Sequence, residues 1–331
     1  MKVKVGILGA AHMHVHSYIK ELKKQGIMIT GVYDRTREQA EEIAHLYQLK
    51  VSESIEELLA SDCNTVFICS ENSFHKELAE RAFLKKKHVI VEKPMALTTK
   101  DARQMIESAA KAEVKLMVAH PVRFSTTAQE LKQIIDEQAL GNLVAVNASN
   151  HGKNPGGWFI EPALSGGGAL IDHTVHISDL IYYYFDLTPK SVRAFIGKTK
   201  ETLKVEDTGL LQVTFTNGVI MSLDTSWNRP ATYPIWGDAM VELIFEKGYL
   251  TMDGFGRKMK IYSDSLNQIE DYYYGNDMDG AMIQAFIQAI EHGLPAPVSG
   301  EAGLYTVAIT EKAFLAAIQE REVNFEEEET E

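Results

Sequence analysis

The sequence predicts an α/β Rossmann N-terminal domain, built on a doubly wound parallel sheet, followed by a C-terminal α+β domain with a large, mainly antiparallel sheet. Three observations predict it. Up to about residue 120, short apolar runs alternate with longer amphipathic ones, the pattern of parallel strands joined by helical crossovers. Beyond that point, strand-like runs follow one another without intervening helices. The chain, at 331 residues, is also long enough for roughly two domains, each with a sizeable core. The expected division is 1–121 and 122–331.

In the first part the strands are expected at Val3–Leu8, Ile27–Tyr33, Thr65–Cys69, Val89–Val91 and Leu116–Ala119. Helical patterns fall near His14–Lys24, Arg37–Tyr47, Phe74–Lys86 and Lys100–Ala112. Ser54 with Glu57, and Thr98 with Asp101, place an acid three residues after a candidate cap and so mark helix starts. In the second part a helix near Ala128–Glu137 precedes strands at Val144–Asn150, Ser191–Ile196, Leu210–Phe215, Val219–Leu223, Val241–Phe245, Tyr249–Met252 and Met259–Tyr262. Asn217-Gly218 between two alternating runs signals a hairpin. Helices at Leu170–Phe185, Asp279–His292 and Gly303–Glu320 are expected to cover one face of the sheet, leaving the other free for self-association.

Composition narrows the partners. An apolar fraction of 45% with 24% charged residues is that of a globular protein, and a formal net charge of −13 without a basic patch disfavours nucleic acid and anionic membranes. The one basic run, Lys85-Lys86-Lys87, sits where a helix should end and suits its dipole. Two cysteines, Cys63 and Cys69, form no CxxC motif or disulfide framework, which fits a reducing cytosol. No export signal or membrane-spanning apolar stretch is evident, so a cytoplasmic location is expected. The run Glu326 to Glu329 reads as a solvated tail.

Chemistry concentrates in three places. Gly166-Gly167-Gly168 opens onto a helical pattern in which Asp172 and His176 stand one turn apart, with Asp179 further along the same face. The glycines permit positive φ and close approach of a ligand. The first strand ends in Gly6-Ile7-Leu8-Gly9-Ala10-Ala11-His12-Met13-His14, a degenerate G-x-G-x-x-G in which Ala11 and His14 replace the second and third glycines. A strand-to-helix turn of this kind offers backbone N–H groups to a pyrophosphate. Asp34, at the end of the next apolar run, is placed to accept the adenosine ribose hydroxyls, which favours NAD; Arg35 beside it is suited to a 2′-phosphate, which keeps NADP open. His12, His14 and His16 are expected to fan around a helix axis rather than bind a metal. Third, the strand His88–Val91 runs into Glu92-Lys93-Pro94, where Lys93 borders the ligand crevice of a doubly wound sheet.

Taken together these motifs resemble the glucose-fructose oxidoreductase, inositol dehydrogenase and MocA (Gfo/Idh/MocA) family of nicotinamide-dependent dehydrogenases. The resemblance spans nearly the whole chain. It adds Ser70-Glu71-Asn72-Ser73-Phe74-His75, Pro121-Val122-Arg123-Phe124, Gly157-Trp158-Phe159 and Pro297–Leu304. It implies that Gly6, Gly9, Ala10, Ala11, His12, Asp34, Arg35, Ser70, Asn72, His75, Glu92 and Lys93 serve the cofactor. Lys93 and His176 would flank the reacting carbon with Asp172 beside them, and a cis Lys93-Pro94 bond would aim the lysine. His120, Arg123, Trp158, Asp172 and His173 would meet a sugar, cyclitol or related polyol. His176 is the natural base and Lys93 the stabiliser of the alkoxide. No metal is expected, although His173 with Asp172 and His176 leaves one open. Transient oxidation in a lyase, epimerase or glycosidase, and a nicotinamide-sensing regulator, are the alternatives. A homodimer or homotetramer is expected.

Overall fold

The computed structural model describes residues 2–255, 257–263, 268–275 and 277–326. Its first sheet is formed by β1 (Lys4–Leu8), β2 (Met28–Tyr33), β3 (Thr65–Ile68), β4 (His88–Val91) and β5 (Leu116–Val118). The crossovers are α1 (Val15–Lys24), α2 (Arg37–Tyr47) with α3 (Ile55–Ala60), α4 (His75–Leu84) and α5 (Thr99–Ala112). The strands lie in the order β2-β1-β3-β4-β5, every pair parallel. Val5, Ile7, Val66, Ile68, Val89 and Val91 are all buried. Helices cover both faces of such a sheet, which is why these strands read as continuous apolar runs rather than alternating ones. Both expected caps form: Ser54 Oγ accepts the Glu57 N–H and Thr98 Oγ1 the Asp101 N–H, each at 3.1 Å.

The second half contributes α6 (Thr126–Asp136), β6 (Leu143–Ser149), α7 (Pro162–Ser165), α8 (Ala169–Phe185), β7 (Pro189–Gly197), β8 (Thr208–Phe215), β9 (Ile220–Asp224), β10 (Met240–Phe245), β11 (Gly248–Asp253), β12 (Arg257–Ser263), β13 (Gln268–Tyr274), α9 (Met278–Glu291), α10 (Gly300–Ile318) and β14 (Val323–Asn324). Seven strands form a sheet in the order β11-β10-β6-β9-β8-β7-β14, while β12 and β13 pair as a separate ribbon. All neighbours in the large sheet are antiparallel except β6 and β9. The hairpin forms as expected, with Gly218 at φ +89° and Phe215 N–H bonded to the Val219 carbonyl at 2.9 Å. Alternation divides the sheet: Val192, Ala194, Leu211, Val213, Met221, Leu223, Val241 and Leu243 are buried, whereas Phe195, Leu210, Ile220, Met240 and Tyr249 are exposed.

The chain clusters into two compact units, Met1–His120 with Gly156–Gly168 and Asp279–Glu311, and Pro121–Pro155 with Ala169–Met278 and Lys312–Glu331. This corrects one expectation. The helices predicted near Asp279–His292 and Gly303–Glu320 do not simply cover the second sheet, because most of both belongs to the first unit. Gly300 abuts Ile106 and Leu116, Gly303 abuts Val118 and Met95, and Ser17 donates to Asp279 at 2.5 Å. Two further elements, β13 and β14, escape the sequence pattern: QIEDYYY carries two acids, and β14 is only 2 residues long. Of the acidic tail, residues 327–331 lie outside the described residues.

Candidate active site

Within the first unit most cofactor candidates, together with His120 of the expected substrate set, lie at the carboxyl ends of adjacent parallel strands; Gly6 lies inside β1 and His75 opens α4. Gly9 follows β1, Asp34 follows β2, Ser70 follows β3, Glu92 and Lys93 follow β4, and His120 follows β5. The ladder continues past the strands, with Gly9 N–H on the Tyr33 carbonyl at 2.7 Å and His12 N–H on the Cys69 carbonyl at 2.9 Å. Gly9 is required for two reasons. Its φ is +89°, and a Cβ there would lie 2.5 Å from the Ser70 backbone nitrogen. Among the described residues no acceptor meets the N–H of Ala11 or Met13. Amide donors at a strand-to-helix turn are what a pyrophosphate needs, so the loop fits a dinucleotide.

Asp34 is held rigidly. Its Oδ2 accepts the Ala10 N–H at 2.6 Å and its Oδ1 the Thr36 N–H at 2.7 Å. The Arg35 guanidinium lies 3.6 Å from the centroid of the Phe74 ring. Glu71 stands in the same neighbourhood, and burial together with the negative field of Asp34 pushes its carboxyl above the usual value. Ser70 and Asn72 are buried, with Asn72 Nδ2 donating to the Ser165 carbonyl at 2.9 Å. His75 is sealed from solvent, its Nδ1 2.8 Å from the Pro94 carbonyl and its Nε2 3.3 Å from that of Ser70. It thus braces the peptide that carries Lys93. The Lys93-Pro94 bond is cis, as the resemblance implied.

His16 departs from the other two loop histidines, as the spacing predicted, and meets Tyr47 at 3.0 Å. His12 and His14 do not fan apart: their ring centroids are 4.6 Å from one another, because His12 lies in the turn before α1 and is not yet on the helix. Both face Glu92, His14 Nδ1 at 3.0 Å and His12 Nδ1 at 3.7 Å. Atoms of the three lie within 4.8 Å, a spacing that suits a metal ion. Hydrogen bonds already account for it, since Glu92 accepts from Tyr18 at 2.5 Å and from Lys93 N–H at 3.1 Å, and His12 Nδ1 accepts the His14 N–H at 3.3 Å. Burial opposes the charge on Glu92, yet His12, His14 and Lys93 hold its carboxyl well below the usual range. Burial likewise opposes the imidazolium of His14, and Glu92 overcomes it, raising His14 above its ordinary value of 6.5. Trp158 is anchored on this loop, its Nε1 donating to the Ala11 carbonyl at 3.0 Å and its ring stacked 3.8 Å from Phe159.

A pH dependence follows from the elevated His14. A raised value contributes stability that is complete below the unfolded value and is lost as pH rises through the folded one. His14→Ala is therefore expected to melt below the parent at about pH 6, with the gap closing towards about pH 9. Thermal melts across that range check it; a gap that does not narrow rejects His14 as the cation of Glu92.

In the second unit the site is organised by α8. Of the three glycines before it, only Gly166 takes positive φ, +82°. The start of α8 is not an open N-terminus: Ala169 N–H donates to the Glu206 carbonyl at 3.0 Å and Leu170 N–H to its carboxylate at 3.2 Å. Buried Glu206 caps the helix, a role that its sequence surroundings do not announce. Asp172 is buried; its Oδ2 accepts the indole N–H of Trp227 at 3.1 Å and lies 3.2 Å from His173 Nε2. Trp227 was not legible as a site residue, since 55 positions separate it from Asp172. His176 is half-buried one turn on. His120 is buried in the first unit. Arg123, expected to face substrate, instead forms a buried bidentate pair with Asp179, its Nε 2.8 Å from Oδ2, and lies 4.9 Å from the Tyr183 ring. Its planar fork matches a carboxylate, and Asp179 supplies one.

Comparison with known proteins agrees with this architecture. Residues 3–120 match the model of an oxidoreductase family with an NAD-binding Rossmann fold, and residues 128–251 the GFO/IDH/MocA C-terminal domain. D-glucoside 3-dehydrogenase of Escherichia coli is 30% identical over 68% of this chain and 70% of its own. Myo-inositol 2-dehydrogenase of Thermotoga maritima is 25% identical over 98% and 99%. The crystal structure of GenD2 from gentamicin A biosynthesis in complex with NAD superposes with a TM-score of 0.87 at 23% identity, over 98% of this chain and 96% of that one. The chain belongs to the Gfo/Idh/MocA family of NAD(P)-dependent oxidoreductases.

Proposed function

We propose that the protein is a dehydrogenase that transfers hydride between NAD and a secondary alcohol of a sugar, cyclitol or related polyol. The observation that carries the reading is the polar face of α8: a buried carboxylate steadied by Trp227, with imidazoles at His173 and His176 on the same and the following turn. Such a surface suits a ligand rich in hydroxyls. The names of the relatives, a glucoside dehydrogenase and an inositol dehydrogenase, point the same way.

In this reading His176 takes the hydroxyl proton as hydride departs, and Lys93 stabilises the developing alkoxide. Asp172 orients substrate. With its Oδ2 receiving the Trp227 N–H, it serves as an acceptor rather than the proton carrier. NAD, when bound, supplies the hydride acceptor; the Ala11 and Met13 amides would hold its pyrophosphate, Gly9 would allow its close approach, and Asp34 would hold its ribose. Residues 1–121 would serve the cofactor, with 156–168 and 279–311 packed in one compact unit with 1–120, and the rest of 122–331 the substrate and self-association. The exposed apolar residues Phe195, Leu210, Ile220 and Tyr249 favour a homo-oligomer through the open sheet face. Free, buried cysteines favour the cytoplasm.

The test is a panel of sugars and cyclitols incubated with NAD or NADP and followed at the nicotinamide absorbance. Net reduction with at least one polyol is expected. Product formation without cofactor reduction sends the reading to the transient-oxidation alternative, and no turnover with any member rejects it. NAD is expected to bind at least about tenfold more tightly than NADP, because the Asp34 carboxylate at the end of β2 opposes a 2′-phosphate. Titration of Asp34→Ala is expected to erase that preference; equal affinities in the parent refute the assignment.

A further inference from the structure

The second unit contains an aromatic surface that the proposed chemistry does not use. Gly152 follows β6, and Trp227 follows β9, which pairs in parallel with β6, so both chains leave the sheet at the same edge. Gly152 bridges antiparallel to Gly237, which brings Trp236 to that edge as well. A Cβ on Gly152 would lie 2.7 Å from His173 Cε1, 3.0 Å from His173 Nε2 and 3.3 Å from Trp236 Nε1. Gly152 is therefore the gap in which the His173 imidazole and the Trp236 indole approach one backbone position. Asp172 adjoins His173, and His173 and Trp236 border the same wall at Gly152.

Two features of that wall lack a structural purpose. Trp227 is buried and bonded to Asp172, whereas Trp236 leaves 40% of itself exposed. His173 is buried, and a ring nitrogen facing a carboxylate carries the proton, so Nε2 is the donor towards Asp172 and Nδ1 an acceptor. That Nδ1 is buried without a hydrogen-bond partner among the described residues. A buried acceptor of this kind calls for a donor from outside the chain.

The rim beyond Trp236 indicates which ligand. Arg229 Nε donates to Asp238 Oδ2 at 2.8 Å, Arg229 Nη2 is 3.0 Å from His151 Nδ1, and His151 Nε2 is 3.1 Å from Asp224 Oδ2. Burial opposes the His151 cation, but Asp238 and Asp224 raise its value above the ordinary one. Two carboxylates thus face one guanidinium and one imidazole, with His151 Nδ1 turned to the donor-only Arg229. A rim without excess positive charge suits a neutral hydroxylated ring better than a phosphate.

We infer that Trp236 and His173 form a subsite for the second ring of a glycoside, the indole stacking on the apolar face of that ring while His173 Nδ1 accepts a sugar hydroxyl. The inference rests on the dehydrogenase reading and adds that the substrate class is a glycoside rather than a free monosaccharide. Aromatic rings present a broad, rigid apolar face, and stacking on one is worth roughly three- to tenfold in affinity.

The experiment measures, by calorimetry on NADH-loaded protein, the affinity of glucose against cellobiose and maltose, and of galactose against lactose. At least one disaccharide is expected to bind about tenfold more tightly than its monosaccharide. Trp236→Ala is expected to remove that advantage and leave the monosaccharide unchanged, whereas Trp236→Phe retains most of it. Gly152→Ala, which drives a methyl group into His173, is expected to weaken both ligands. No disaccharide advantage in the parent, or an advantage that survives Trp236→Ala, overturns the subsite. If monosaccharides are oxidised in the cofactor assay without that advantage, only the subsite fails; if no sugar is bound or oxidised, the dehydrogenase reading fails with it.

Discussion

Lys93→Met is expected to lower kcat by roughly 10²- to 10⁴-fold, and His176→Ala by a similar factor, with NAD still bound by both proteins. The methionine keeps the length of the side chain and removes its charge, so the loss reports the ammonium and not the packing. Lys93 is only 5% exposed and is carried by a peptide braced through His75, so its position is set by the fold. In the proposed mechanism the two residues serve the same proton transfer, one taking the proton and the other steadying the oxygen it leaves. Groups that act as a unit are not additive, and the double variant should lose little more than the worse single one. The parent is expected to show an acidic limb in kcat/KM that disappears in His176→Ala, because that limb reports protonation of the base. Calorimetry with NAD separates a chemical defect from a folding defect. Full activity in Lys93→Met, or an acidic limb that persists without His176, removes these residues from the mechanism.

The first sheet was legible because its signals are local. Apolar runs of four to six residues, capping acids three positions after Ser54 and Thr98, and a glycine at the end of β1 are each read within a short window. The catalytic candidates on α8 were legible for the same reason, since helical spacing alone puts Asp172 and His176 on adjoining turns. What stayed hidden depends on distant partners. Glu206 caps α8 from 36 positions away, and Trp227 meets Asp172 from 55. Nothing in either local sequence marks the pairing. The assignment of α9 and most of α10 to the first unit was hidden likewise, because helical periodicity shows an apolar face but not its partner. Arg123 shows the limit most clearly: its side-chain chemistry suits a polyol, and only the fold reveals that Asp179 has already engaged it.

That engagement makes the second large effect one of stability. Arg123 and Asp179 have side-chain exposures of 6% and 1%, so neither charge is compensated by water if its partner is removed. Breaking a buried pair leaves one uncompensated ion, and Arg123→Met and Asp179→Leu are each expected to destabilise the protein by about 3–5 kcal/mol. The double replacement is expected to cost much less than the sum, since two apolar chains bury no charge. Urea unfolding at unchanged slope provides the comparison. There is a functional corollary. Arg123 sits in the short turn Pro121–Phe124 and Asp179 lies two turns beyond Asp172 on α8, so the pair anchors the helix that presents the site. Trp227 and Glu206 hold the other end of that helix independently of the pair. The double variant should therefore recover stability and retain Asp172 in place, giving a kcat within about tenfold of the parent. Additive losses across the cycle would instead make each residue important for contacts outside the pair. Loss of turnover in a double variant of parental stability would return Arg123 to the substrate.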